Sequence, residues 1–262
     1  MDRTAHEIRR IILEESKRAG VGHIGSALSV ADIVAVLYSR ILRAESAEDP
    51  ERDRFVLSKG HAALALYAAL HVRGWIDTPL LATFCADGTP LGVHPDAAVA
   101  AIDYSTGSLG QGLGVGAGYA LAAKLRGSAR RVFVLLSDAE CNEGSVWESI
   151  AFSAHHKLTN LTAIVDANGQ QALGYTNDVL SFHPLAERWR AFQWDVRECD
   201  GHDEDALAEA MSPDDRTGPR VVIANTIFGK GVSFMQRQIK WHYSPMSDAE
   251  YASALSETGN RH

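Results

Sequence analysis

Two polar residues stand thirty positions apart, each just beyond a β-rich run: Asp138 in Leu136-Ser137-Asp138-Ala139-Glu140 and Asn168 in Asp166-Ala167-Asn168-Gly169-Gln170. At two neighbouring strand ends a carboxylate and an amide oxygen converge on one point, and hard oxygen donors of this kind suit Mg²⁺ or Ca²⁺. Mg²⁺ takes few protein ligands and fills its shell with water and substrate phosphate. The same residues also suit a plainer use, Asp138 as the cap of the helix that follows and Asn168 as a turn residue. Four histidines lie in loop-like surroundings: His23 between glycines, His61 after Lys59-Gly60, His94 before Pro95, and His242 between Trp241 and Tyr243. Imidazoles so placed exchange protons near neutral pH. Their spacing matches no compact zinc pattern, and Cys85, Cys141 and Cys199 do not complete one.

The run from Gly107 to Gly118 carries six glycines in twelve residues, a density that lets backbone approach a ligand or a second helix closely. Within it, Gly112 to Ala117 fits the dinucleotide fingerprint G-x-G-x-x-A. That fingerprint follows a buried strand, whereas Ala101 to Thr106 is short and polar, so helix packing is the reading for the later glycines. Glu140 and Glu143 fall in the first turn after Asp138, where carboxylates favour a helix start without any catalytic task. His155 and His156 read as helix packing or capping, and His202 in Asp200-Gly201-His202-Asp203 reads as a turn residue.

These groups need a frame. Apolar spacing predicts a helix over Thr4–Arg18, broken at Gly20-Val21-Gly22, and a second over Ser29–Leu42 with Ser29 and Asp32 placed as a capping box. A strand over Arg54–Ser58 precedes an alanine- and leucine-rich helix over Ala62–Val72. Further strands are expected at Arg131–Ser137, Leu161–Asp166, Trp194–Glu198 and Arg220–Asn225, with helices between them. Continuous apolar runs separated by helices predict an α/β fold whose central, mostly parallel sheet carries helices on both faces. Ligands of such sheets bind beyond the carboxyl ends of the strands, where Asp138 and Asn168 lie. Met211 to Pro219 is loop-like but short, so one domain over 1–262 is expected, with N-terminal helices over about 4–45 and a C-terminal tail over about 243–262.

With 262 residues, 46% of them hydrophobic and 22% charged, the chain can bury a sizeable core, and disorder is excluded. The absence of a long apolar run argues against a membrane span. A net charge of -8 without a basic patch disfavours nucleic acid. The polar N-terminus and three scattered cysteines point to the cytoplasm.

The strings GHIGSALSVADIVAVLY, DRFVLSKGHAALALYAAL, STGSLGQGLGVGAGYALA, SDAECNEGSVWES, HHKLTNLTAIVDANG and NTIFGKGVSFM together resemble the N-terminal, diphosphate-binding half of transketolase. In particular they resemble the separate N-terminal subunit of split bacterial and archaeal transketolases. The likeness runs in order from about Glu7 to His242. It implies the thiamine diphosphate-binding fold, and Mg²⁺ (with Ca²⁺ or Mn²⁺ as substitutes) held by Asp138, Asn168 and the backbone carbonyl of Gln170. It places His61, Gly107, Ser108, Leu109, Asp138, Ala139, Glu140, Asn168 and Gln170 at the cofactor. By the same resemblance His94 binds the donor's terminal hydroxyl, while His23 and His242 assist proton movements at the carbonyl oxygen. The implied reaction moves a two-carbon ketol unit from a ketose to an aldose, the substrates being sugars or sugar phosphates.

Three features depart from the family pattern. Ser137-Asp138-Ala139 stands where most members read G-D-G, so a Cβ faces the diphosphate, at a cost of about 1 kcal/mol if a glycine conformation is needed there. Gln170 and Ala172 replace apolar residues beside the cofactor. The third is the absence of a following pyrimidine-binding domain, which in the family supplies an activating glutamate. The expectation is therefore a separate C-terminal subunit, with pyrimidine-binding and C-terminal domains, in an α2β2 assembly. Two other readings stay open: a degenerate partner subunit that binds without catalysing, and another thiamine diphosphate enzyme such as a deoxyxylulose-phosphate synthase-like protein. Against the synthase, Asn142-Glu143-Gly144 with Trp147-Glu148 favours transketolase.

Overall fold

A computed structural model describes residues 3–259. Strands β1 (Arg54–Leu57), β2 (Val132–Ser137), β3 (Leu161–Ala167), β6 (Asp195–Asp200) and β7 (Arg220–Asn225) form one parallel sheet in the order β1-β2-β3-β7-β6. A short antiparallel hairpin, β4 (Gln170–Gln171) and β5 (Gly174–Tyr175), follows β3. The helices in chain order are α1 (Arg3–Ala19), α2 (Ile24–Ser29), α3 (Ala31–Val36), α4 (Ala63–Val72), α5 (Thr78–Leu81) and α6 (Gly112–Leu125). After them come α7 (Gly144–His155), α8 (Thr176–Val179), α9 (Leu185–Ala191), α10 (Glu204–Met211), α11 (Lys240–Tyr243) and α12 (Asp248–Gly259).

Strand side chains alternate faces, and here both faces are apolar. Phe133, Leu135, Ile164, Val222 and Ala224 join a core with α1, α3, α4 and α10. Val132, Val134, Leu136, Ala163, Val165, Val221 and Ile223 join a second core with α6, α7 and α9. Strands sandwiched in this way leave their carboxyl ends as the place where polar side chains gather. The glycine run does pack helices: a Cβ on Gly112 would meet Ser58 Oγ at 2.4 Å, and one on Gly116 would meet Val134 at 2.3 Å. Among the described residues no helix is long and apolar enough to cross a membrane.

Three expectations need correction. The helix expected over Ser29–Leu42 is instead α2, α3 and a wider turn over Leu37–Ile41. Its capping box does not form: Val30 holds the cap position without a side-chain bond, Ser29 Oγ donates to Asp166 at 2.7 Å, and Asp32 is fully buried beside Arg9. The tail expected over about 243–262 contains α12, which packs near α1 through Lys17 to Asp248 at 2.6 Å, its last residues lying outside those described. Of the segment expected as a loop, Met211 closes α10 and residues 212–219 connect it to β7.

Candidate active site

A cavity of about 330 Å³ opens beyond the carboxyl ends of β1, β2 and β3. His23, His61, Lys59, Asn168, Gln170 and His242 are among its lining residues, with Phe228. Each arrives by a local device. His23 sits at the start of α2 with φ 60°, a left-handed conformation that costs a non-glycine residue energy, and its backbone N–H donates to the His242 carbonyl at 3.2 Å. Gly22 permits this approach, since a Cβ there would lie 2.4 Å from the Tyr243 carbonyl oxygen. His61 follows Gly60, whose missing side chain leaves room for Thr106. Four-residue α11 carries His242.

The three imidazoles form a triangle, with ring centroids 5.1 Å apart for His23 and His242 and 5.4 Å apart for each pair with His61. Burial is the main force on all three, and neighbouring imidazoles with Lys59 add to it. His61 is held well below its ordinary value, His23 is lowered, and His242 is pushed down to about 4. The cluster is therefore neutral at pH 7, able to take a proton and to share one. His23 Nδ1 is buried without a partner among the described residues.

Stability depends on pH as a result. A histidine whose folded value lies below 6.5 binds its proton more readily when unfolded, so its contribution is complete above about pH 6.5 and is lost as pH falls toward about 4. Urea unfolding of the unliganded chain is expected to show a midpoint falling across that window, with a shallower fall in His242→Gln.

The β2 and β3 ends meet through Asp138 N–H, which donates to the Asp166 carbonyl at 3.2 Å. The Asp138 carboxylate accepts from the backbone of Ala139 at 2.8 Å and of Gly169 at 2.9 Å. Burial, then the nearby Asp166, push it up to about 7. Lys59, whose ammonium is paired with Asp166, and the two backbone N–H groups pull it back only in part. Fully buried Asp166 also accepts from Ser29 Oγ at 2.7 Å, from Thr226 Oγ1, and from Asn168 Nδ2 at 2.9 Å. A carboxylate only accepts, so Asp166 fixes which end of the Asn168 amide is nitrogen. Asn168 Oδ1 then faces away and accepts from Gln170 N–H at 2.9 Å. Gly169, at φ 73°, allows the turn between them.

Of the residues put forward from the sequence, His23, His61, His242, Gly107, Leu109, Ala139, Asn168 and Gln170 line the cavity. Asp138 lies just beneath, buried, while Ser108 and His94 are exposed, the His94 ring near Gly107. Glu140 does fall in the first turn after Asp138, but its carboxylate serves other segments. It is fully buried away from the lining, and its carboxylate accepts from Gly110 N–H at 2.7 Å, from Ser58 Oγ, and from Ser137 N–H at 3.4 Å. It braces the glycine turn against the β2 loop. Ala139 lies outside the left-handed region, so its Cβ carries no conformational cost. Lys59 and Asp166 were not singled out in the sequence, although an ionisable residue closing an apolar strand was the available signal.

The donor set fits a divalent cation: one buried carboxylate only partly balanced by Lys59, one amide oxygen and one carbonyl, all hard oxygens. Among the described residues no group of three His, Cys, Asp or Glu forms an alternative metal site. Gln170 Oε1, like His23 Nδ1, is buried without a hydrogen-bond partner among the described residues.

The family model described as the transketolase thiamine diphosphate-binding domain matches residues 1–261. The chain belongs to the transketolase family. It is similar to the 6-deoxy-6-sulfo-D-fructose transketolase subunit SqwG of Clostridium sp. (strain MSTE9), 38% identical over 97% of this chain and 94% of that protein. Similarity extends to an apulose-4-phosphate transketolase subunit of Phocaeicola vulgatus, 37% identical over 97% of this chain and 92% of that protein. Human transketolase is 38% identical over 93% of this chain, which spans 39% of it. The fold matches the solved transketolase of Leishmania mexicana with a TM-score of 0.90 at 27% identity, covering 98% of this chain and 41% of that one. As a transketolase-type transferase subunit, the chain corresponds to the N-terminal subunits of the split enzymes, matched along nearly their whole length.

Proposed function

We propose that this transketolase subunit binds Mg²⁺ and thiamine diphosphate and, with a separate C-terminal subunit, moves a two-carbon ketol unit from a ketose to an aldose. The observation that carries the reading is the buried Asp138 carboxylate at the β2 end, under a cavity that Asn168, Gln170 and the three imidazoles line together. Asp138, Asn168 and the Gln170 carbonyl would hold the cation, and through it the diphosphate. Thiamine diphosphate, when bound, supplies the nucleophilic carbon that cleaves and re-forms the ketose bond.

The remaining work falls to side chains of this chain. His61, the most deeply buried of the three imidazoles, would donate to the diphosphate. His23 and His242 would hold a proton at the substrate carbonyl oxygen and return it when the bond re-forms. His94, at the rim, binds the terminal hydroxyl of the donor. Gly107 and Leu109 bring backbone to the cofactor, and Ser108 completes that turn. Ala139 does not support a non-catalytic reading, since its backbone adopts an ordinary conformation.

Relatives named as subunits support an α2β2 assembly with a pyrimidine-binding partner, and their names support sugar or sugar-phosphate substrates. Three unpaired cysteines suit a cytoplasmic setting. The reading is tested by assaying ketol transfer with this chain, the partner subunit, Mg²⁺ and thiamine diphosphate. Transfer is expected only when all four are present, and transfer by this chain alone would refute the split arrangement.

A further inference from the structure

Three ionisable side chains with no part in that reaction are buried together: Arg9 of α1, Asp32 of α3, and His202 just after β6. Arg9 Nη1 donates to Asp32 Oδ1 at 2.9 Å, its Nη2 donates to Oδ2, and its Nε reaches the Lys230 carbonyl at 3.3 Å. His202 Nδ1 lies 2.7 Å from Asp32 Oδ2, and His202 Nε2 lies 2.8 Å from the backbone nitrogen of Ile227. A backbone N–H only donates, so Nε2 must be the bare acceptor. The ring hydrogen is then on Nδ1, where it is donated to the carboxylate. His202 is thus a neutral bridge with a fixed direction, from Ile227 through the ring to Asp32.

The bridged segment leads straight into the cavity. Thr226 binds Asp166 on one side of Ile227, and on the other Phe228 lines the cavity and stacks on His242 with centroids 6.4 Å apart. Gly229 N–H donates to the Gly25 carbonyl at 2.9 Å, two residues beyond His23. A Cβ on Gly25 would lie 2.1 Å from the Phe228 ring, so this contact has no slack. A displacement of Ile227 therefore passes to Phe228, and from it to His242 and the start of α2.

We propose that His202 is a positioning residue: with its ring oriented by Asp32, its Nε2 accepts from Ile227 N–H and so holds Phe228 and the His242 and His23 imidazoles in place. The reaction it serves rests on the transketolase reading, whereas the tie itself does not.

Two substitutions separate the ends of the bridge. The amide of His202→Asn reaches the position of Nδ1 and keeps Asp32, and that of His202→Gln reaches the position of Nε2 and keeps Ile227. In the complete assembly His202→Asn is expected to lower kcat by about 10-fold or more, the effect typical of losing a supporting partner, with KM little changed. His202→Gln is expected to restore most of it. Nitrogen-15 spectra of the imidazoles, recorded on this subunit without cofactor, are expected to show shifted His242 and His23 signals in the asparagine variant and near-native ones in the glutamine variant. Equal effects of both substitutions, or none from either, would overturn the proposal. Should neither variant fold, the wild-type spectrum decides: near neutral pH it is expected to show His202 protonated on Nδ1 alone, and a proton on Nε2 would overturn the bridge. If the wild-type assembly transfers no ketol unit, the functional reading fails while the spectra still judge the tie.

Discussion

Asp138→Asn is expected to lower ketol transfer in the complete assembly by more than about 100-fold, beyond what loss of a supporting partner normally costs, while making the unliganded chain more stable at pH 7. Both effects follow from one fact, a buried carboxylate next to Asp166 that Lys59 balances only in part. Its folded value, about 7 against an ordinary 3.8, means that the folded chain holds the proton more tightly than the unfolded one. The stability it contributes is then complete below about pH 3.8 and is lost as pH rises toward about 7. At about 1.4 kcal/mol per tenfold, the loss has a ceiling near 4 kcal/mol. Asparagine avoids that loss but turns an N–H toward either Ala139 or Gly169, at a cost of about 1–3 kcal/mol. The net gain expected at pH 7 is about 1–3 kcal/mol, read by urea unfolding, and near pH 4 it should turn into a net loss of about 1–3 kcal/mol, the asparagine cost alone. An asparagine variant that transfers ketol units normally would remove Asp138 from the metal site.

Asp166→Ala is expected to destabilise the chain by about 3–5 kcal/mol, the scale on which a buried ion pair suffers when one partner goes. Lys59 would be left charged and buried, and Ser29, Thr226 and Asn168 would each lose an acceptor. Lys59→Met is expected to cost less, because three neutral donors still face the Asp166 carboxylate. The combined Lys59→Met and Asp166→Leu chain should be more stable than Asp166→Ala alone, since no uncompensated charge remains. Costs that simply add across the two positions, measured by urea unfolding, would show that the pair is not coupled. The effect should also reach the cofactor, because Asp166 is what turns the Asn168 oxygen toward Gln170.

The parallel sheet was legible because strands buried on both faces leave continuous apolar runs, such as Val132 to Leu136, that few other structures produce. Asp138 and Asn168 were legible for a related reason. Each ends such a run, and β2 and β3 are neighbours both in sequence and in the sheet. Local rules fail where a side chain's partner lies far along the chain. Asp32 looks like a cap when only its near neighbours are considered, yet its partners are Arg9 and His202, the latter 170 positions away. His202 for its part looks like a turn residue. Glu140 satisfies every local rule for a helix start, whereas its carboxylate answers to Ser58 and Gly110 from two other segments. Short-range rules describe the backbone's own needs, and in this protein the buried charges serve contacts between elements instead.

The transketolase reading can be tested most directly with a ketose labelled with carbon-13 at its two terminal ketol carbons. The labelled donor would be given to the assembly of this chain and its C-terminal partner with an unlabelled aldose, Mg²⁺ and thiamine diphosphate. The predicted result is label in both ketol carbons of the new, longer ketose, lost on removing Mg²⁺ with a chelator and absent from the Asp138→Asn assembly. Unlabelled product, or labelled product formed equally well by the Asp138→Asn assembly, would contradict it.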